Sequence, residues 1–170
     1  MNSRQISSIL QSTLGDKCYG VYASDQLPEK IETYPAGFVM NIDPSDRPGS
    51  HWVAVYIDTN QRGEYFDSYG REPTEPALWK LLDTNCIAWG HNKKHIQGFL
   101  SSVCGHYSIY FLINRAKGLS MNEIVGKFTE KHEENDFLIT EWINDNFDLS
   151  TDTYNIDFIV NQICHALFSP

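Results

Sequence analysis

The chain has 170 residues, 41% of them hydrophobic, with a formal net charge of −9 and an isoelectric point near 5.0. That length suits one globular domain over 1–170, able to bury about 70% of the surface its unfolded chain exposes. The acidic balance makes nucleic acid an unlikely partner, and no apolar run approaches the roughly 18 residues of a membrane span, so a soluble, intracellular protein is expected.

In chain order, "NSRQISSILQSTLGD" carries Ile6, Ile9, Leu10 and Leu14 at helical spacing, with Asn2 or Ser3 to cap the start and Gly15 to close the end. The stretch after it reads as irregular, punctuated by Pro28 and Pro35, until "GFVMNI" forms a short strand and "DPSDRPGS" a polar loop. His51 follows that loop directly. "WVAVYID" and "EYFDSYG", separated by "TNQRG", predict a β-hairpin whose first strand is apolar on both faces, as a central strand is.

Thr74 with Pro76 opens a helix through "ALWKLLD", and "CIAWG" then "HNKKHIQGF" predict a strand and a loop. "CGHYSIYFLINRAKG" is apolar around most of its circumference, the pattern of a buried helix, with Ser101 or Ser102 as its cap and Gly118 at its end. Two more helices follow. "SMNEIVGKFTEKH" sets Ser120 and Glu123 at capping-box spacing, and "NDFLITEWINDNF" offers Phe137, Leu138, Trp142 and Ile143 as its apolar residues.

The cysteines, Cys18, Cys86, Cys104 and Cys164, form no CxxC pair and are too sparse for a disulfide scaffold, so free thiols are expected. Cys104 differs from the others by its place in the first turn of the buried helix, where the partial positive charge of the helix terminus stabilises a thiolate. Position alone does not overturn the plainer reading of Cys104 as a small buried hydrophobe. His51 at the start of one hairpin strand and Asp67 at the end of the next can meet, because antiparallel neighbours bring those ends together. A carboxylate holding an imidazole beside a thiol is the arrangement of nucleophilic catalysis. Gln97, seven residues before Cys104, can offer its amide to an oxyanion, or be a solvated loop residue.

"GSHWVAVYID", "YFDSYG" and "IQGFLSSVCGHYSIYFL" together resemble the adenovirus protease (adenain) family of cysteine endopeptidases, within the wider class that includes the ubiquitin-like-protein proteases. The likeness runs from about Ile9 to about Leu119. It implies an α+β, papain-like fold: a central mixed sheet packed against the helix that carries the nucleophile. It further implies Cys104 as nucleophile, His51 as general base and acid, Asp67 as its orienting carboxylate and Gln97 as the oxyanion-hole side chain. Trp52, with Gly105, would bind substrate, Trp52 walling a narrow groove that favours glycine beside the cut. The implied role is limited processing of proteins from a virus or a virus-like transposable element, in the host nucleus or the virion if viral.

Cys86 falls where adenovirus proteases can join an activating peptide through a disulfide, so such a peptide is a possible partner; strand packing is the plainer account of the residue. No other cofactor is implied, and the acidic charge makes a DNA cofactor doubtful. Asp67 stands where adenovirus enzymes carry Glu and matches the ubiquitin-like-protein proteases, which keeps a modifier-directed protease or isopeptidase as an alternative. A non-catalytic peptide-binding module is the other. His91 and His95, which with Cys86 could suggest a metal site, read as part of a solvated basic loop, and His106 points to a helix face away from Cys104. The tail 151–170 matches nothing in the family; one option is that it fills the activator groove with Cys164 near Cys86.

Overall fold

The computed structural model describes residues 1–149, apart from the side chains at 16, 18 and 19. Helix α1 (Ser3–Leu14) leads through a short 3₁₀ turn into strand β1 (Cys18–Ala23), followed by β2 (Ala36–Asn41), β3 (Trp52–Ile57) and β4 (Arg62–Phe66). Helix α2 (Pro76–Asn85), strand β5 (Ala88–His91) and helices α3 (Cys104–Ala116), α4 (Met121–Val125) and α5 (His132–Asn146) complete the described chain. The strands lie in sequence order in one mixed sheet: β2–β3–β4 antiparallel, with β1 and β5 added parallel at the two edges.

Period-two alternation divides the sheet between two apolar layers. Phe38, Met40, Val53, Val55 and Ile57 face α2, where they meet Leu78, Leu81 and Leu82. Val39, Ala54 and Phe66 face the helical layer of α1, α3 and α5. Helix α3 packs closely on β2 at Gly37, where a Cβ would sit 3.1 Å from Leu112 Cδ2. Phe66 and Phe111 stack at 4.6 Å between ring centroids, 7° from parallel, and tie β4 to α3. Phe111→Ala is expected to cost about 3–5 kcal/mol and lower the melting temperature by roughly 10 °C, read by calorimetry; a shift of a degree or less would overturn that placement.

The hairpin, β2, α1 and α3 stand where residue periodicity predicts them, and Asn2 closes a capping box with Gln5. Other elements differ from expectation. β1 lies in the stretch that reads as irregular: Gly20, at φ +116°, interrupts its register, and its pairing with β2 comes from the tertiary fold. Glu75, not Thr74, takes the position before the first turn of α2, with Pro76 next, and makes no capping hydrogen bond through its side chain. The helix expected across 120–132 stops at Val125, and the next begins at His132, three residues before the expected 135. On α5, Phe137 and Leu138 are 64% and 59% exposed, because the core face is set by Asn135, Ile139 and Ile143 at four-residue spacing. The tail 151–170, with Cys164, lies outside the described residues.

Candidate active site

His51 is the last residue before β3 and Asp67 the first after β4, so the Ala54–Phe66 pairing, continued outward, brings both to one end of the hairpin. There His51 Nε2 and Asp67 Oδ1 are 2.6 Å apart, both side chains almost entirely buried. Asp67 is held firmly. Its N–H donates to Asn92 Oδ1 at 2.9 Å, Asn92 Nδ2 donates to its carbonyl at 2.7 Å, and Oδ1 also accepts the Tyr69 N–H at 2.9 Å.

Nε2 is committed to the carboxylate, which leaves Nδ1 as the nitrogen for Cys104, whose thiol hydrogen-bonds the imidazole at the start of α3. The Trp52 N–H lies 3.5 Å from Cys104 Sγ. Burial pushes the thiol's pKa up, yet the His51 hydrogen bond and charge, with the Trp52 and Gly105 N–H groups, bring it below its ordinary value. Burial likewise disfavours the imidazolium, but the hydrogen bonds and charges of Asp67 and Cys104 outweigh it and raise His51 to about 9. Both shifts favour a thiolate–imidazolium pair.

The cap expected from Ser101 or Ser102 does not form; Val103 occupies the cap position of α3 and bonds no first-turn N–H through its side chain. Ser101 serves Gln97 instead. Gln97 is fully buried, its Nε2 donating to Ser101 O and Oγ, each at 3.1 Å, and its Oε1 accepting the Ser68 hydroxyl at 2.6 Å. The Ser68 carbonyl accepts the N–H groups of Ile96 and Gln97, at 2.9 and 3.2 Å. One residue beside Asp67 thus clamps both the backbone and the amide orientation of Gln97. Gln97, His51, Trp52 and Cys104 all line one cleft of about 420 Å³.

Gly105 lies beneath Trp52: a Cβ there would come 3.3 Å from Ile6 Cδ1 and 3.4 Å from Trp52 Cδ1, so glycine lets the indole rest on the helix start. Cys86 is not in a strand. It caps the C-terminus of α2, half-buried, its thiol pushed up to about 11 by burial and then by the Asp58 and Asp83 charges. His95 packs against Tyr69, Phe99 and His132, and among the described residues no group of three His, Cys, Asp or Glu side chains could hold a metal ion. His106 is apart from the cleft, and burial pushes it down to about 4.

Ser68, Asn92 and Tyr69 are the contributors that sequence reasoning passes over. Only the "DS" step in "YFDSYG" hints at Ser68; Asn92 sits in a loop with no periodicity to mark it.

No family model matches the chain. Over 107 residues it is 34% identical to a protein of Acanthamoeba polyphaga mimivirus named as a thiol protease, covering 57% of this chain and 35% of the relative. Over 104 residues it is 31% identical to a cysteine protease of African swine fever virus, covering 52% of this chain and 37% of the relative. A counterpart from another isolate, named a SUMO-1 cysteine protease, is 30% identical over the same length and coverage. The chain is similar to viral cysteine proteases. It spans little more than a third of the length of these relatives. Among solved structures, the African swine fever virus protease superposes with a TM-score of 0.45 at 24% identity, covering 65% of this chain and 44% of that one. ChlaDub1 of Chlamydia trachomatis gives 0.48 at 17% identity, covering 65% and 58%.

Proposed function

We propose that this chain is a cysteine protease of papain-like architecture that hydrolyses polypeptides through a thioester acyl-enzyme. The observation that carries the reading is the buried Cys104–His51–Asp67 chain of hydrogen bonds, with Cys104 and His51 lining one cleft. In this reading Cys104 Sγ attacks the scissile carbonyl, and the C–N bond breaks as His51 gives its proton to the leaving amine. Asp67 orients the imidazole and offsets its charge. Water, deprotonated by His51, then cleaves the thioester, releases the acid and restores the thiol. Gln97 Nε2 and the Cys104 N–H are the oxyanion donors; Ser101 Oγ yields its place on Gln97 to the substrate oxygen. No cofactor enters these steps.

Trp52, lying on Gly105, supports a groove that admits small residues, glycine above all, next to the cut. The viral relatives support limited processing of viral polypeptides inside the host cell or virion. A second reading, a protease for a ubiquitin-like modifier, is favoured by the relatives named SUMO-1 cysteine proteases and by Asp67 as the third residue. An activating peptide at Cys86 belongs to the proposal as well, although the raised pKa there makes that thiol slow to form a mixed disulfide.

The test sets a peptide ending in Gly-Gly-aminomethylcoumarin beside a SUMO-aminomethylcoumarin conjugate, each with wild type and Cys104→Ala. Release from the peptide by wild type alone is expected. Release from SUMO alone selects the second reading, and a Cys104→Ala protein as active as wild type rejects both.

A further inference from the structure

The cleft over Cys104 contains Arg71, and no Asp or Glu lines it, although the protein as a whole carries a net charge of −9. Arg71 has no carboxylate within ion-pair distance among the described residues. Its guanidinium lies over the Tyr69 ring, 4.6 Å from the centroid. A guanidinium held over an aromatic face can still present its N–H fork to a carboxylate, which it receives through two parallel hydrogen bonds.

The segment that presents it is rigid. Gly70 adopts φ +67° between Tyr69 and Arg71, its N–H donates to the Asp67 carbonyl at 2.8 Å, and a Cβ there would come within 2.8 Å of the Lys93–Lys94 backbone. Tyr69 in turn packs against the His51 ring at 5.0 Å and against Phe99 at 6.1 Å. The turn after Asp67 therefore serves two purposes: it ends the strand that supplies Asp67, and it holds a cation at the cleft.

From these contacts we infer that Arg71 is a specificity-determining residue that binds the side-chain carboxylate of a Glu or Asp in the substrate polypeptide. The inference rests on the protease reading for the identity of the ligand as a polypeptide. The guanidinium carbon is 4.6 Å from the Tyr69 centroid and that centroid 5.0 Å from the imidazole's, so the cation stands no more than 9.6 Å from His51. An extended chain advances about 3.3–3.6 Å per residue, which places the acidic residue within about three positions of the scissile bond.

The experiment uses internally quenched peptides with blocked termini and a central Gly-Gly, carrying Glu, Gln or Lys in turn at each of the three positions on either side. Each set is assayed for kcat/KM and, independently of turnover, for protection of Cys104 against iodoacetamide. At one position wild type is expected to prefer Glu over Lys by up to about fivefold, a solvent-accessible ion pair being worth up to about 1 kcal/mol. Arg71→Glu is expected to reverse that order, and raised salt to compress it. Cleavage with no Glu preference, or with the same ranking in Arg71→Glu, overturns the inference and leaves the protease standing. Glu-dependent protection without cleavage, reversed in Arg71→Glu, sustains the carboxylate site and removes the protease. Absence of both cleavage and protection removes both.

Discussion

His51→Ala is expected to lower kcat/KM by about 10² to 10⁴, the usual contribution of a positioned general acid–base, and to move the alkylation profile of Cys104 upward in pH. The direction follows from the balance at the thiol. Burial pushes its pKa up; the His51 hydrogen bond and charge, aided by the Trp52 and Gly105 N–H groups, bring it below the ordinary value. Removing the imidazole takes away two of the lowering influences and leaves the burial. Iodoacetamide should therefore label wild-type Cys104 at lower pH than it labels an ordinary thiol, and label the variant more slowly at the same pH. Cys86, raised to about 11, is an internal reference that stays slow in both proteins. Wild-type turnover should fall on the alkaline side near pH 9, where His51 loses the proton destined for the leaving amine. An unchanged alkylation profile in His51→Ala would sink the ion pair and the mechanism built on it.

Gln97→Ala should lower kcat by about 10² to 10³, the cost of losing one oxyanion donor, while leaving iodoacetamide labelling of Cys104 as in wild type. Alkylation passes through no tetrahedral oxyanion, so the two measurements separate charge stabilisation at the carbonyl from activation of the thiol. Ser68→Ala probes the same donor from behind. Without the 2.6 Å hydrogen bond from Ser68 Oγ to Gln97 Oε1, the amide can turn its oxygen toward the cleft, and a loss of about tenfold in kcat with little change in KM is expected. Because both residues are buried, the melting temperature of each variant is measured alongside. A Gln97→Ala protein that melts as wild type does and turns over at its rate would remove Gln97 from the oxyanion hole; parallel losses in labelling and turnover would make the Ser68–Gln97 bond structural.

The elements that could be read from the chain are those whose information is local. Helix α1 is marked by Ile6, Ile9 and Leu10 at helical spacing and by an Asn2–Gln5 capping box, and the hairpin by two β-rich runs around a turn. α3 is marked by an apolar circumference that has no stable alternative to burial. The ends of those elements carry His51, Asp67 and Cys104, so their convergence could be expected once the hairpin was assigned. β1 escaped because Gly20 breaks the alternation and its partner strand lies thirteen or more residues away in the sequence. Phe137 and Leu138 misled because hydrophobicity by itself does not say which face of α5 meets the core; Asn135, bonded to the Ile96 and Thr129 carbonyls, takes the inward position instead.

By itself, then, the amino-acid sequence determined which segments form the central hairpin and the buried helix, and that a thiol, an imidazole, a carboxylate and an amide stand at their ends, because periodicity, capping and turn chemistry act over a few residues. The tertiary structure alone decided how those groups are held. The Ser68–Gln97, Asp67–Asn92 and Trp52–Cys104 contacts join residues 29, 25 and 52 positions apart. It also decided that Arg71 stands over Tyr69 at the cleft, with no carboxylate paired to it among the described residues. Hydrogen bonds of that span exist only once the sheet and α3 have packed, and no local pattern of residues encodes them.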